Sequence, residues 1–285
     1  MGKLEPIKIS TRMSQLLQKI AEAKAFIEGK SGLKATTGIV LGSGLGNLAN
    51  EIEAELAIPY HEIPHFPPAT VEGHSGKLIL GKLNGKPVIA MAGRFHYYEG
   101  LSMQEVTFPI RVMKALGVET LLLSNAAGGM NENYRVGDLM IITDHINLQP
   151  EHPLRGPNMD ELGPRFPDMS EPYAKHLVGK AQQIAQQHNI FVHNGVYVGV
   201  QGPTFETRAE YKFMRIIGGD AVGMSTVPEV IVAVHAGMNV FAMSVITDIG
   251  IREEENVITH EEVLAAAKAA EPKLTLIFSE LIQQL

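Results

Sequence analysis

The segment GRFHYYEG at 93–100 places a guanidinium, an imidazole, two phenols and a carboxylate between two glycines. It follows a predicted buried strand, and in open α/β sheets ligands bind beyond the carboxyl ends of the strands. The rigid fork of Arg94 could grip two phosphate oxygens, His96 could donate to a third, and Glu99 could orient a neighbour. A surface loop with an Arg–Glu pair is the alternative, but so many reactive groups in eight residues favour an anion site.

The segment TGIVLGSGLGN at 37–47 predicts a buried strand, a glycine-rich turn and a short apolar helix. Backbone N–H groups at such a turn, with the helix dipole behind them, suit an anion, and Ser43 adds a hydroxyl donor. Taken alone, the turn fits a ligand-free strand–helix connection equally well. Asn47 stands where the dinucleotide-binding pattern needs its third glycine, which disfavours a dinucleotide-dependent oxidoreductase.

Other turns also carry polar groups. The sequence NAAGG at 125–129 predicts a second small-residue turn after a strand, which permits close approach to the backbone. Ser225 precedes the capping box TVPE at 226–229, so it lies at a predicted helix N-terminus, where an anion is favoured. Capping alone would also explain these residues. His74 lies between glycines, and His260 begins the last predicted helix, where its spacing fits a surface residue equally well.

Strands and helices alternate along the chain without repeats or linkers, which predicts one α/β domain, 1–285, with a central mixed β-sheet flanked by helices. Asn84-Gly85 predicts a type I′ hairpin between strands at 77–83 and 87–92. Residues 148–172 contain six prolines and predict a long irregular excursion, in which Phe166 is either a loop anchor or a lid for another subunit's pocket. The other predicted elements are helices at 11–29, 102–117, 172–188, 207–218, from 225 and from 259, and strands at 120–124, 137–144, 191–200, 221–224 and 240–246.

Composition limits the function classes. The chain has 285 residues, a net charge of −7 and no cysteine, and its isoelectric point is about 5.9. The negative net charge does not favour binding to nucleic acid. Without cysteine, disulfides, thiolate catalysis and zinc–thiolate sites are excluded. The His residues show no HExxH or comparable metal spacing. The apolar run 230–246 contains His235, Gly237 and Asn239, so it predicts a helix, a turn and a buried strand, and a cytoplasmic protein without a membrane span.

Seven motifs together resemble the trimeric purine nucleoside phosphorylases of the nucleoside phosphorylase superfamily. They occur in the family's order and span the chain from about residue 40 to 265. Xanthosine and methylthioadenosine phosphorylases belong to the same superfamily. The motifs are GSGLG at 42–46, GHSG at 73–76, GRFHYYEG at 93–100, NAAGG at 125–129, RFPDMS at 165–170, GPTFE at 202–206 and VGMSTVPE at 222–229.

The resemblance implies a role for each matching residue. His96, Glu206 and Asp248 would be the catalytic residues, and Phe166 would enter the site of a neighbouring subunit, which implies a homotrimer. The phosphate would bind Ser43, His74, Arg94, His96, the Ala126 backbone and Ser225, the ribose would bind Tyr98, Met224 and His260, and the purine would bind Phe205, Glu206, Val222, Thr247 and Asp248, with Tyr197 packed nearby.

The implied reaction is phosphorolysis of a purine nucleoside to the free base and ribose 1-phosphate. No covalent nucleophile, metal or cofactor is implied, and inorganic phosphate is the co-substrate. The partners would be the nucleoside and phosphate, without nucleic acid or membrane. The bound phosphate would stabilise the positive charge that develops on the ribose and would be the nucleophile that attacks the ribose. A hydrogen-bond donor at N7 would stabilise the negative charge on the leaving purine.

Asp248 departs from the family pattern, in which members specific for 6-oxopurines usually have Asn. A protonated Asp248 could donate to N7, whereas an ionised one could accept from the 6-amino group of adenine. Glu206 instead suits N1–H of hypoxanthine or guanine. We therefore expect inosine and guanosine as main substrates with tolerance of adenosine. The alternatives are a methylthioadenosine or xanthosine phosphorylase and a noncatalytic nucleoside-binding protein.

Overall fold

The computed structural model describes residues 6–43, 45–68, 75–250 and 259–285, with side chains from Gln15 onward. The strands in these ranges are β1 Thr37–Val40, β2 Glu53–Pro59, β3 Lys77–Leu83, β4 Lys86–Ala92, β5 Thr120–Gly129, β6 Leu139–Asn147, β7 Val192–Gly199, β8 Ala221–Gly223 and β9 Asn239–Ile249. The α-helices are α1 Pro6–Lys30, α2 Met103–Ala115, α3 Lys175–Gln187, α4 Arg208–Ile216, α5 Val227–His235 and α6 His260–Gln283.

The described strands form one mixed sheet in the order β2-β3-β4-β1-β5-β8-β7-β6-β9, with a further pairing between β5 and β9. That pairing closes β5, β8, β7, β6 and β9 into a ring of strands, from which the other four extend. Strands β4, β1, β5 and β9 are parallel to one another along their shared pairings, so their carboxyl ends lie at one edge. The fold class predicted from the sequence is confirmed.

Alternating side chains of the sheet serve two apolar cores. On β5, Leu121 and Leu123 belong to the core that also contains residues of α1, α2 and α5. Leu122 between them belongs to the core that contains residues of α3 and α6. Since successive strand residues point to opposite faces, helices cover both sides of the sheet, and the strand ends with their turns are left to build a site.

Local signals in the sequence located several elements. Asn84 and Gly85 have φ values of 49° and 78°, as the type I′ turn between β3 and β4 requires. Capping boxes begin α2 at Ser102, α4 at Thr207 and α6 at Thr259, each with a glutamate at the third helical position. These predictions are confirmed. They could be made from the sequence because each signal depends only on residues a few positions apart.

The NAAGG segment is a strand and not the predicted turn. Asn125–Ala127 continue β5 beside Ser244–Ile246 of β9, and Gly128–Gly129 pair with both β8 and β9. The glycines are needed for space, because a Cβ at Gly129 would lie 2.8 Å from the side chain of Ile249. Strand β9 likewise extends to Ile249 and carries Thr247 and Asp248 within it.

Two further differences between the predicted and the observed elements lie in the first sixty residues. The predicted apolar helix after the glycine turn is a short 3-10 helix, Asn47–Glu51, and β2 follows it where no strand was predicted. Strand β2 is mostly exposed, so it lacks the alternating apolar pattern by which a strand is recognised. Helix α1 starts at Pro6, five residues before the predicted position of 11, and proline is well tolerated at a first helical position.

Residues 148–172 contain neither helix nor strand in the structure, as predicted. Among the helices of the described ranges, none combines the length and the apolar character needed to cross a membrane. The cytoplasmic location and the single-domain assignment of 1–285 stay predictions.

Candidate active site

A cavity opens at the edge where the parallel strands end. Strands β1, β4, β5 and β9 lead into it, and β8 runs back along β5 to bring the residues after Gly223 beside it. All the predicted phosphate, ribose and base residues that the structure describes line this cavity, although their individual roles stay predictions. They are Ser43, Arg94, His96, Tyr98, Ala126, Phe205, Glu206, Val222, Met224, Ser225, Thr247, Asp248 and His260.

Three other residues of the sequence interpretation lie elsewhere. His74 is outside the described residues. Phe166 does not line the cavity, and its side chain is 87% exposed, with the guanidinium of Arg165 5.6 Å from its ring centroid. Tyr197 is fully buried behind the cavity, where its hydroxyl accepts from the Ser225 amide at 3.4 Å. Tyr197 therefore supports the site from behind and does not contact its open space.

Arg94 is the central cation of the cavity and is only 1% exposed. Its Nε donates to Glu229 Oε1 at 3.1 Å, its Nη2 lies 2.9 Å from Glu229 Oε2, and its Nη1 donates to the Ser124 carbonyl at 2.6 Å. Glu229 is itself buried. From the sequence Glu229 is predicted only as a capping residue, and its contact with Arg94 is a finding of the structure.

The same glutamate links Arg94 to a strained turn. The Glu229 carboxylate accepts from the Thr226 amide at 2.9 Å. Thr226 has φ 69° and ψ −56°, and the Val227 amide donates to the Ser225 carbonyl at 2.7 Å, which together make a γ-turn. A β-branched residue with positive φ is rare and costs on the order of 1–3 kcal/mol.

Hydrogen bonds from neighbouring elements hold this turn in place. Thr226 Oγ1 accepts from Asn125 Nδ2 at 2.9 Å and lies 3.1 Å from Ser225 Oγ. The turn thereby fixes Ser225 at the N-terminus of α5, next to the end of β5. Backbone strain at this position is consistent with a functional site, because such strain persists only where the surroundings impose it.

Glu99 holds His96, which is the neighbour that the sequence left unnamed. Glu99 Oε1 accepts from the His96 amide at 2.7 Å and lies 3.2 Å from His96 Nδ1. The ring stacks on Tyr98 with centroids 4.7 Å apart. Burial lowers the pKa of His96 although Glu99 opposes this effect, so the imidazole is neutral at pH 7.

At the other end of the cavity, a phenol and two carboxyls come together. Asp248 is 6% exposed; its Oδ2 accepts from the Tyr211 hydroxyl at 3.1 Å and its Oδ1 from Thr247 Oγ1 at 3.1 Å. Glu206 lines the cavity together with them. Burial raises the pKa of Glu206, and the charge of Asp248 raises it further.

Tyr211 is not among the predicted site residues, since the sequence predicts it only as part of the helix after GPTFE. Its position in the first turns of α4, five residues after Glu206, is the signal that could have identified it. Glycines leave room for its ring: a Cβ at Gly250 would lie 2.1 Å from a ring carbon, and one at Gly128 would lie 2.8 Å from the hydroxyl oxygen.

The cavity thus has two chemically distinct ends. Arg94 meets the Ser124 carbonyl of β5, whereas the Asp248 carboxyl and the Tyr211 hydroxyl lie beside Gly128 further along the same strand. Ser43, His96, Ser225 and Glu206 line the cavity with them. This arrangement can hold an anion at one end and a hydrogen-bonding heterocycle at the other.

Comparison with known proteins agrees with this geometry. The family model described as the phosphorylase superfamily matches residues 36–283. Purine nucleoside phosphorylase 1 of Bacillus subtilis (strain 168) is 51% identical over 266 residues, covering 93% of this chain and 98% of that protein.

Solved structures agree as well. Schistosoma mansoni purine nucleoside phosphorylase, in complex with adenosine and in complex with inosine, is 42% identical with a TM-score of 0.89. These matches cover 94% of this chain and 97% and 96% of those chains, respectively. With the family model and the relatives covering most of its length, this chain belongs to the phosphorylase superfamily and, within it, to the purine nucleoside phosphorylases.

Proposed function

We propose that this chain catalyses the phosphorolysis of purine nucleosides to the free base and ribose 1-phosphate. The observation that carries the proposal is the cavity in which Arg94 and Ser225 lie near Ser124 and Asn125 of β5 while Asp248 lies near Gly128, with Glu206 also in the lining. The relatives named above are purine nucleoside phosphorylases, and two of their structures hold adenosine and inosine.

In the proposed reaction, a phosphate oxygen attacks C1′ of the ribose while the bond from C1′ to N9 breaks. The bonding electrons pass to the purine, which takes a proton or a hydrogen bond at N7. Arg94, oriented by Glu229, and Ser225, fixed by the γ-turn, hold the phosphate. Asp248 and Glu206 bind the purine, so that catalysis rests on positioning and on complementary charge.

Ribose binding is assigned to the middle of the cavity. Tyr98 and Met224 lie between the two ends in this proposal, and His260 at the start of α6 faces the 5′-hydroxyl. A histidine at this position favours ordinary nucleosides over 5′-methylthio substrates. No cofactor is required in this mechanism, and full activity after dialysis against a chelator would support that part of it.

The proposed substrates are inosine and guanosine, with adenosine accepted as well. As an anion, Glu206 accepts from N1–H of a 6-oxopurine. At position 248 the family members specific for 6-oxopurines usually have Asn, whereas this chain has Asp248, whose ionised carboxyl could accept from the 6-amino group of adenine. Release of hypoxanthine from inosine, followed with and without added phosphate, is the test. Release that requires phosphate and yields ribose 1-phosphate supports a phosphorylase, whereas release without phosphate would indicate a hydrolase.

We also propose a homotrimer in which Phe166 enters the site of a neighbouring copy. Its 87% exposure on an irregular segment supports this assignment, because a large apolar side chain in such a position gains by burial against a partner. Sedimentation velocity is the test. A monomer that is fully active would contradict both the trimer and the role of Phe166.

A further inference from the structure

Asn47, which stands where a dinucleotide-binding turn would have a glycine, binds a carboxylate from the far end of the chain. Its backbone N–H donates to Glu271 Oε1 and its side-chain Nδ2 donates to Glu271 Oε2, both at 2.5 Å. The two residues are 224 positions apart, and Glu271 belongs to α6. They are here called the anchor pair, because they tie the end of the glycine-rich turn to this helix.

Glu271 is only 2% exposed. Both of its oxygens accept N–H bonds, which is the pattern of an ionised carboxylate, since a carboxylic acid carries a proton on one of them. Burial raises the pKa of Glu271, and the bonds from Asn47 oppose this effect. A buried carboxylate is costly unless its oxygens are hydrogen-bonded, so the position of Asn47 is strongly coupled to that of Glu271.

The glycine-rich turn is held at its other end by β5. The Gly42 amide donates to Ser124 Oγ at 3.2 Å, and a Cβ at Gly42 would lie 2.7 Å from the Ser124 carbonyl oxygen. Inside the turn, the Leu45 amide donates to the Gly42 carbonyl at 3.2 Å. Ser43, which lines the active-site cavity, therefore lies in the chain between an attachment to β5 and an attachment to α6.

Helix α6 is a support shared by the turn and the cavity. Its first residue, His260, lines the cavity, and Glu271 follows eleven residues later, about three helical turns along the axis. Leu45 and Leu48 of the turn are buried in the same apolar core as Leu274 of this helix. Apolar packing is non-directional, whereas hydrogen bonds require alignment, so the anchor pair is the contact that orients the turn on α6.

We propose that Asn47 and Glu271 are positioning residues that hold the Ser43 turn in place for phosphate. The inference rests on the proposed function, because it assumes that the anion bound at Ser43 is phosphate. Neither member of the anchor pair is among the described residues that line the cavity, so both act on phosphate through the turn. Loosening the pair moves Ser43 and leaves Asp248, a proposed purine contact on β9, in place.

The test exchanges the two functional groups of the pair. Asn47→Asp sets a carboxylate against that of Glu271, so the side-chain bond is lost and the turn is repelled from α6. We expect KM for phosphate to rise about tenfold, as the loss of a charge-assisted hydrogen bond implies, and KM for inosine at saturating phosphate to stay within about twofold. An unchanged KM for phosphate, or equal rises in both constants, would overturn the proposal.

The double variant Asn47→Asp with Glu271→Gln should reverse the effect. The glutamine carbonyl still accepts from the backbone N–H at position 47, and the glutamine amide donates to the new aspartate, so both bonds are present again. KM for phosphate should return to within about twofold of the parent, as expected of two residues coupled in a double-mutant cycle. A double variant as impaired as Asn47→Asp would overturn the proposal.

Asn50→Asp is the matched control, because it adds the same charge to the same short 3-10 helix at an exposed position. It should leave KM for phosphate within about twofold of the parent, and a tenfold rise would overturn the inference by showing that the added charge acts at a distance. Asn47→Ala removes only the side-chain bond at an exposed residue, which keeps the test available if Asn47→Asp does not fold. It should raise KM for phosphate about threefold, and an unchanged value would refute the proposal.

Two measurements without turnover separate this inference from the proposed function. Calorimetric titration with inorganic phosphate should show about tenfold weaker binding in Asn47→Asp, and this result would support the anchor even if the parent releases no base, an outcome that defeats only the proposed function. Hydrogen exchange at the Leu45 amide, which is bonded to the Gly42 carbonyl, should be about tenfold faster in Asn47→Asp and return in the double variant. Exchange equal to that of the parent would refute the anchor whatever the kinetics.

Discussion

Replacing Glu229 with glutamine should show how the proposed phosphate site is assembled. Glu229 is bonded to Nε and Nη2 of Arg94 at 3.1 and 2.9 Å, and both side chains are almost fully buried. Glutamine has the same shape and also functions at the third position of a capping box, so the bond from the Thr226 amide survives. The substitution therefore removes the negative charge and places an N–H donor where Glu229 Oε1 accepts from Arg94 Nε.

The magnitude follows from the burial of the pair. Removing one partner of a buried ion pair costs about 3–5 kcal/mol, because the other charge is left uncompensated. A chain of 285 residues unfolds with an entropy of about 0.6 kcal/mol per kelvin at its midpoint. The Glu229→Gln variant should consequently melt about 5–8 °C below the parent in buffer without phosphate.

Phosphate should then restore part of the loss. An anion bound beside Arg94 supplies the charge that glutamine lacks, so the variant should gain more from phosphate than the parent does. Each tenfold gain in affinity is worth about 1.4 kcal/mol, or roughly 2 °C for this chain. Melting curves by scanning calorimetry, recorded with and without phosphate for both proteins, provide the measurement.

The control is Glu171→Gln, the same change at an exposed carboxylate paired with Lys175. Surface ion pairs contribute about 0–1 kcal/mol, so this variant should melt within about 2 °C of the parent and respond to phosphate as the parent does. A Glu229→Gln variant that melts like the parent, or that gains no more from phosphate, would refute the assignment of Glu229 as the partner that compensates and orients Arg94.

Three further predictions concern the site, the pH response and the fold. Ser225→Ala should raise KM for phosphate about tenfold, through loss of a hydrogen bond to an anion, and leave KM for inosine unchanged; equal changes in both constants would contradict the assignment. Burial lowers the pKa of His235 below 6.5, and Arg111 lowers it further. The folded state therefore binds fewer protons than the unfolded state below that pH, and stability falls on acidification. In His235→Asn the fall in melting temperature from pH 7.5 to 5.5 should be smaller, by at most about 2 °C, and an equal fall in both proteins would contradict it. Gly85→Ala should lower the free energy of unfolding in urea by about 1 kcal/mol, because φ is +78° and a Cβ there meets no neighbour, so the cost is that of the left-handed backbone alone. Gly29→Ala, within a helix and also in open space, should instead stabilise by about 0.5–1 kcal/mol, and the same sign in both would refute the reasoning.

Much of the site was accessible from the sequence because its residues follow strand ends in short motifs. Ser43, Arg94 and His96 each come directly after a predicted strand, and parallel strands end at the same edge of a sheet. Their presence in one cavity therefore follows from a topology that alternation of strands and helices already indicated. The hairpin at Asn84-Gly85 and the capping boxes were predictable for the same reason, since each depends on neighbouring residues alone.

The second layer of the site was decided by tertiary structure. Arg94 and Glu229 are 135 residues apart and Tyr211 and Asp248 are 37 apart, and no local pattern pairs them. Even the NAAGG segment has a local composition that suits a turn, and it is a strand because it pairs with β8 and β9.

The sequence by itself determined which chemical groups occur at each strand end, because short-range rules of turns, caps and alternation fix those positions. Tertiary structure alone decided how those groups are charged and oriented. Burial and neighbours from distant parts of the chain set the pKa of Glu206 and His96 and bind the fork of Arg94 to Glu229. These interactions depend on distance and desolvation in the folded protein, which residue order does not specify.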